Sequence, residues 1–248
     1  MHDRPPLPRR LLAEFLGSAL LAAVVLGSGI AAQQLSPRQP GLELFENAAA
    51  TGVGLYVIII VFGPVSGAHL NPVVTLADVS LGRLRRQDAP GYFAGQVLGC
   101  IAGAVVANTM FSLAAISIAT HHRATPAHLW SEVIATAGLV LVIFTLARSH
   151  RLAAVPAAVG AYIAAAYFFT SSTSFANPAI SVGRMFSNTF AGIAPASVPG
   201  FIVAQLIGGA VGLLGVLILY PSTEVADEHN PVRVPTERRT LTDEPSPV

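Results

Sequence analysis

The chain has 248 residues, of which 53% are hydrophobic and only 11% charged, with a formal net charge of +1 and a mean hydropathy of +0.63. This composition is too apolar for an ordinary soluble domain of that length, and it indicates an integral membrane protein. The small net charge gives no indication of nucleic-acid binding, and the single cysteine, Cys100, excludes an intrachain disulfide.

Six apolar segments long enough to cross a bilayer follow one another along the chain. They lie at residues 10–32, 46–65, 92–118, 129–147, 153–170 and 199–220, each close to the ~20 residues that a spanning helix needs. The first is too long, and too poor in a small-residue cleavage site, to be a removed signal peptide. We therefore predict an ordered membrane domain at 10–220, flanked by disordered tails at 1–9 and 221–248.

The arginines set the predicted orientation, because cytoplasmic segments of membrane proteins carry an excess of positive charge. All fourteen basic residues are Arg, and eleven of them fall in the tails or in the connections after spans two and four. These eleven are Arg4, Arg9, Arg10, Arg83, Arg85, Arg86, Arg148, Arg151, Arg233, Arg238 and Arg239, whereas Arg38, Arg123 and Arg184 fall on the other side. Both tails are therefore predicted to be cytoplasmic.

An Asn-Pro pair occurs twice in the same setting, once in each half of the chain. Asn71-Pro72 and Asn177-Pro178 each follow a long apolar segment and open a short one, which runs to about residue 80 or 187. Asn is a good N-cap and Pro suits the first helical position. About ten residues at ~1.5 Å per residue make ~15 Å, half of a ~30 Å hydrocarbon core. Two such half-helices are typical of inverted-repeat channels and transporters, whose site lies at mid-membrane.

The two halves share further landmarks in the same order. Each half has a Glu in its first span, the Asn-Pro pair, and a Gln in its third span. The pairs are Glu14 with Glu132, Asn71 with Asn177, and Gln96 with Gln205. Because each half contains three spans, an odd number, the halves are predicted to be inverted across the membrane. This gives repeat 1 at about 10–118 and repeat 2 at about 129–220.

With these residues the chain resembles the aquaporin and aquaglyceroporin family, the major intrinsic proteins, over about 10–220. The resemblance implies an all-α membrane fold with six transmembrane helices, two re-entrant half-helices and an inverted internal repeat. It places pore motifs at Asn71, Pro72, Val73, Asn177, Pro178 and Ala179, and Val73 stands where the family usually has Ala. It also implies a homotetramer in the lipid bilayer of the cell (inner) membrane, with no cofactor and no bound metal.

The function that the resemblance implies is a passive channel for small uncharged solutes. The family's narrow filter corresponds by spacing to Thr51, Ala165 (within one helical turn), Ser174 and Ile180. Ile180 stands where the family normally has Arg. The expected filter is wide and uncharged, and admits water, glycerol-like polyols and urea. This composition is similar to bacterial aquaglyceroporin-like branches associated with metalloids, which adds arsenite and antimonite hydroxides to the implied solutes.

Arg184 leaves two alternatives open for the filter. It lies four residues beyond Ile180, and helical side chains lean toward their own N-terminus, so its guanidinium can reach back to the filter. Alternatively, it is a vestibule residue that extends to the membrane interface. We favour the second, with a wide filter. The first would make the protein a water-selective channel.

Glu14 and Glu132 are ionisable groups inside spans, which by default suggest an ion path. The resemblance implies instead that they brace the Asn-Pro loops, and His69 is assigned to loop packing beside them. A secondary transporter with inverted repeats is a more remote alternative, and the neutral Asn pair argues against ion coupling. No Ser-His-Asp, Cys-His or paired-carboxylate arrangement stands out, so we predict that the protein is not an enzyme.

Overall fold

The computed structural model describes residues 5–221, and within that range the fold contains helices and no β-strand. The α-helices in chain order are α1 (Leu7–Leu35), α2 (Pro40–Ser66), α3 (Pro72–Ser80), α4 (Ala89–Met110), α5 (Pro126–Arg148), α6 (Val155–Phe169), α7 (Pro178–Gly183) and α8 (Val198–Leu219). With their adjoining 3-10 turns, α1, α2, α4, α5, α6 and α8 are long and apolar enough to cross a membrane. The predicted all-α membrane fold is confirmed.

Some boundaries differ from the predicted ones. α1 begins at Leu7, inside the predicted tail at 1–9. α7 ends at Gly183 and continues as a single 3-10 turn to Phe186, close to the predicted end at 187. From residue 222 onward, the predicted C-terminal tail lies outside the described residues.

The third span is shorter than predicted, because α4 ends at Met110 and not near residue 118. The apolar stretch that follows is extended and pairs with the segment after α7. The backbone N–H groups of Ser117 and Ala119 donate to the carbonyls of Phe186 and Met185 at 3.1 and 2.8 Å. Composition alone does not tell a helix from a non-helical segment of the same apolar character.

The helices pack in two equivalent sets, as the internal repeat requires. α1 lies along α4, and α5 lies along α8, while α2 packs against α6 across the two halves. Gly99 and Gly103 of α4 have backbone carbonyls of α1 so close that a Cβ would overlap them, and Gly208 and Gly212 of α8 have carbonyls of α5 in the same way. These glycines let the paired helices approach closely where lipid gives no hydrophobic drive.

The two short helices begin in the same way. Asn71 and Asn177 are extended N-caps that each accept a hydrogen bond from their own first turn. In both preceding loops the first and third residues before the Asn have left-handed backbones, with φ of 46° to 53°. They are Ala68 and Leu70 in the first loop, and Ser174 and Ala176 in the second. Non-glycine residues in this region cost about 1 kcal/mol each, so the surrounding contacts must hold both loops in place.

Candidate functional site

A continuous cavity of about 730 Å³ lies between the two halves of the fold. One end, here called the Arg10 end, is lined by Arg10 and Arg83. The other, here called the Arg184 end, is lined by Thr51, Tyr167 and Arg184. The wall between them is mostly apolar and is formed largely by α2, α5 and α6, with lining residues such as Leu55, Ile59, Leu139, Ile143, Val159 and Ile163.

The two Asn-Pro loops meet between these ends, and the Asn of each loop donates a hydrogen bond to a backbone carbonyl of the other. Asn71 Nδ2 donates to the carbonyl of Ala176, and Asn177 Nδ2 donates to the carbonyl of Leu70, both at 2.7 Å. Each Oδ1 accepts from first-turn backbone N–H groups of its own half-helix at 2.9–3.3 Å. A side-chain amide has two N–H donors. One N–H of each Asn is therefore left over, and both side chains line the cavity.

Glu14 holds the first Asn-Pro loop from inside the protein. Its carboxylate is fully buried and accepts from the backbone N–H groups of His69 and Leu70 at 3.0 and 2.7 Å. The hydroxyl of Ser66 and the side-chain amide of Gln96 donate to it at 2.6 and 2.7 Å. Four donors compensate the buried charge, so the contacts of Glu14 are those of a loop brace and not of an open ion site.

Glu132 makes the equivalent contacts in the second half. It accepts from the backbone N–H groups of Phe175 and Ala176 at 2.9 and 2.8 Å and from Gln205 Nε2 at 2.6 Å.

The His69 ring extends from the first loop to α3, with Nδ1 3.1 Å from Thr75 Oγ1. The structure thus brings the predicted Glu pair, the Gln pair and His69 to the two loops.

We expect Glu132→Gln to destabilise the fold measurably. The neutral side chain has one acceptor oxygen, so at least one donor now paired with Glu132 would face an NH₂ group, at a cost of about 1–3 kcal/mol. The melting temperature in detergent should fall by on the order of 5 °C. Glu43→Gln is the control, because Glu43 is partly exposed and accepts no side-chain hydrogen bond within residues 5–221. Equal shifts in both variants would contradict the bracing role.

Val73 fits without disturbing the first half-helix. It is buried and directed at Gly209 of α8, where an added Cβ would overlap a Val73 methyl group. Val73 does not line the cavity, and nor does Ala179 in the second motif. The change from the family's usual Ala is accommodated by a glycine on the opposite helix.

The Arg184 end brings together most of the predicted filter residues. Thr51, Ser174, Ile180 and Arg184 all line the cavity there. Ser174 Oγ is buried and has no hydrogen-bond partner among residues 5–221. A buried hydroxyl without a partner is uncommon in folded proteins.

Ala165 does not line the cavity, and its place is taken by Tyr167. The side of α6 facing the cavity carries Val155, Val159, Ile163 and Tyr167, each four residues from the next, whereas Ala165 is exposed on another face. Two residues correspond to a rotation of ~200° about a helix, which accounts for the difference. The Tyr167 hydroxyl lies 3.2 Å from Thr51 Oγ1, so α6 and α2 are joined at this end. The apolar series with period four was the signal that sequence reasoning missed.

Arg184 does not extend to a membrane interface, contrary to the favoured expectation. Its side chain is 2% exposed and lines the cavity. Nε donates to the carbonyl of Ala191, and the guanidinium carbon lies 3.4 Å from the centre of the Phe175 ring. The Arg184 end therefore contains a fixed positive charge, the apolar Ile180 and three hydroxyl-bearing residues, which are Thr51, Tyr167 and Ser174.

Comparisons with known proteins agree with this architecture. The sequence profile described as "Major intrinsic protein" matches residues 2–185. The chain is 45% identical over 230 residues to aquaglyceroporin AqpS of Rhizobium meliloti (strain 1021), covering 92% of this chain and 98% of that one. It is 38% identical over 97 residues to a probable glycerol uptake facilitator protein of Thermotoga maritima, covering 38% of this chain and 41% of that one.

A solved structure shares the fold. The X-ray structure of the aquaglyceroporin from Plasmodium falciparum superposes with a TM-score of 0.68 and covers 85% of this chain and 96% of that one. The two sequences are 23% identical, so this likeness concerns the fold alone.

Proposed function

Since the chain belongs to the major intrinsic protein family, we propose that it is a passive membrane channel that conducts water and small uncharged polyols such as glycerol through the cavity between its two halves. It is a channel and not an enzyme. The observation that carries the proposal is that Asn71 and Asn177 each donate a hydrogen bond to a backbone carbonyl of the other Asn-Pro loop, in the middle of a continuous cavity.

The geometry suits neutral hydroxyl-bearing solutes. The spare N–H groups of Asn71 and Asn177 offer donors in the middle of the cavity. The apolar wall offers no competing partners, so a solute is held only briefly. The first turns of α3 and α7 point their positive ends at the same place, which disfavours cations. Arsenite and antimonite hydroxides, which are neutral and bear several hydroxyl groups, belong to the proposed solute class.

A water-selective channel is the second candidate, and the Arg184 end favours it. The hydroxyl of Tyr167 lies 3.2 Å from Thr51, and the Arg184 guanidinium lines the same part of the cavity. This arrangement is more polar than the uncharged filter expected from Ile180, and it adds the bulk of the Tyr167 ring and the Arg184 side chain to this end of the cavity. Glycerol flux distinguishes the two candidates.

The protein is a multi-pass membrane protein, and the orientation that we propose for it rests on the distribution of its arginines. We place both termini in the cytoplasm of a bacterial cell and the protein in its inner membrane, because eleven of fourteen Arg residues then face the cytoplasm. The Arg184 end of the cavity then faces outward. A homotetramer with one pore per subunit is the proposed assembly, by analogy with the family.

The test is a stopped-flow series on proteoliposomes with water, glycerol, urea and arsenite. We expect water and glycerol permeabilities well above those of empty vesicles, with a low activation energy. If glycerol flux equals that of empty vesicles while water flux is retained, the result would support the water-selective candidate and exclude the glycerol channel. Loss of all fluxes in a correctly folded preparation would contradict the channel proposal.

Tyr167→Ala should raise the ratio of glycerol to water permeability. Removing the ring takes away both the bulk and the hydroxyl of Tyr167 at the Arg184 end. The permeability of the larger solute, glycerol, should therefore rise more than that of water, by about tenfold if ~1.4 kcal/mol of its barrier is removed. Tyr167→Phe, which keeps the ring, should give a smaller change. Tyr56→Ala is the control because Tyr56 is exposed on α2 and does not line the cavity. An unchanged ratio in Tyr167→Ala would remove this residue from the filter.

A further inference from the structure

The ring of Phe175 contacts two guanidinium groups at the Arg184 end. The guanidinium carbon of Arg184 lies 3.4 Å from the ring centre, and that of Arg123 lies 5.5 Å from it. Phe175 follows Ser174 in the second Asn-Pro loop, and its backbone N–H is held by Glu132. An arginine over an aromatic face is attracted by the ring, so Phe175 links the two cations through a fixed loop.

The side chains of the same two arginines donate hydrogen bonds to three successive backbone carbonyls in the segment before α8. Arg123 donates from Nη2 to Phe190 O at 2.7 Å and from Nε to Gly192 O at 2.8 Å. Arg184 donates to the carbonyl between them, that of Ala191. The 190–192 segment and the Phe175 ring thus connect Arg123 to Arg184 along two routes.

Arg123 is itself firmly anchored, although it lies in the connection between α4 and α5. Its side chain is buried, and its backbone N–H donates to Ser197 Oγ at 2.9 Å. His128 Nδ1 lies 2.7 Å from the Arg123 carbonyl oxygen, and Ala194 donates to the carbonyl of His121 at 2.8 Å. Arg123 does not line the cavity.

We propose that Arg123 is a positioning residue for solute selection, because it fixes Phe175 and the 190–192 segment so that the Arg184 guanidinium stays at the end of the cavity. This inference rests on the proposed channel function. Nothing in it requires Arg123 to touch a solute.

The surrounding charges explain why Arg184 needs support from Arg123. Within residues 5–221, no carboxylate lies within salt-bridge distance of Arg123 or Arg184. Burial lowers the pKa of the Arg123 guanidinium, yet arginine stays charged in proteins. Arg184 is therefore held by a carbonyl and a ring rather than by an ion pair. If Arg123 is lost, the carbonyls of Phe190 and Gly192 become free acceptors, and they would draw the Arg184 guanidinium away from the cavity.

Arg123→Lys is the variant that tests this inference. Lysine keeps the charge but lacks the planar fork that serves two carbonyls and a ring together. We expect the glycerol-to-water permeability ratio to rise severalfold. Arg38→Lys is the matched control, because Arg38 is exposed in the connection between α1 and α2 and has no side-chain hydrogen bond or ion pair within the described residues.

The decisive measurement is a double-mutant cycle with Arg184→Ala. If Arg123 acts through Arg184, Arg123→Lys should change the ratio in the parent and leave it unchanged in the Arg184→Ala background. A similar change in both backgrounds, or none in either, would overturn the inference. A merely structural role would lower the melting temperature and the amount of folded protein without this dependence on Arg184.

The same experiment separates the inference from the function on which it rests. If the parent protein conducts neither water nor glycerol above empty vesicles, the channel proposal fails. If the parent conducts both and Arg123→Lys keeps the parental ratio, only the role of Arg123 fails. Arg123→Gln, which is neutral and retains a planar amide donor, serves as a second variant if the lysine variant does not fold.

Discussion

Asn177→Asp is expected to reduce glycerol flux at least tenfold and to admit cations. Aspartate is as good an N-cap as asparagine, so the bonds from Ala179 and Ile180 to the side-chain oxygen are retained and α7 should still form. The donor to the Leu70 carbonyl, now at 2.7 Å, is replaced by an oxygen. A carboxylate ~4 Å from a passing cation contributes an attraction of about 4 kcal/mol at an effective dielectric constant of about 20.

The measurements are glycerol flux in proteoliposomes and potassium leakage reported by a voltage-sensitive dye. Asn188→Asp is the matched control, because Asn188 is exposed and its Oδ1 accepts hydrogen bonds from the backbone N–H and hydroxyl of Thr120, which an aspartate also accepts. It introduces the same charge away from the cavity. If Asn177→Asp left both solute flux and ion leakage at parental values, the electrostatic account of the pore would be wrong.

Arg184→Ala should raise the ratio of glycerol to water permeability by about tenfold and increase proton leakage. The guanidinium occupies the end of the cavity and carries a charge that no carboxylate within the described residues neutralises. A buried positive charge beside the solute path is a barrier to cations, and removing it lowers that barrier. The readouts are the permeability ratio and the decay of a pH gradient.

Arg184→Met separates width from charge. Methionine retains much of the side-chain length and has no charge, so proton leakage should rise while the glycerol-to-water ratio rises less than in the alanine variant. If the filter is instead wide, as expected from Ile180 alone, Arg184 is dispensable and neither variant should change the permeability ratio or the proton leakage. Parental selectivity and leakage in both variants would favour that wide filter.

The half-helices and braces could be predicted from sequence because local chemistry specifies them. Asn is a good N-cap and Pro suits the first helical position when an apolar run follows them, and a buried Glu in an apolar span must find donors nearby. Because the chain contains two repeats, each of these sequence signals occurs twice. The structure shows Glu14 and Glu132 with equivalent backbone partners, as the pairing of the two halves suggested.

The residues at the Arg184 end could not be predicted to the same accuracy, because their positions depend on helix phase and on distant contacts. The choice between Ala165 and Tyr167 depends on a rotation of α6 that spacing from Asn177 does not fix. Burial of Arg184 depends on Phe175 and on the Ala191 carbonyl, neither of which belongs to its own helix. The end of α4 was missed because the apolar residues after Met110 pair with residues 185 and 186, about seventy positions later.

The reciprocal bonds between the two Asn-Pro loops also bear on how the chain is made. Asn71 finds its acceptor 105 residues later and Leu70 finds its donor 107 residues later, so the first loop is incomplete while the ribosome is still producing the second half. Contacts over such separations form late in folding. Although the chain is built from two repeats, neither can reach its final geometry alone. The central bonds can therefore close only after the chain has been made as far as residue 177.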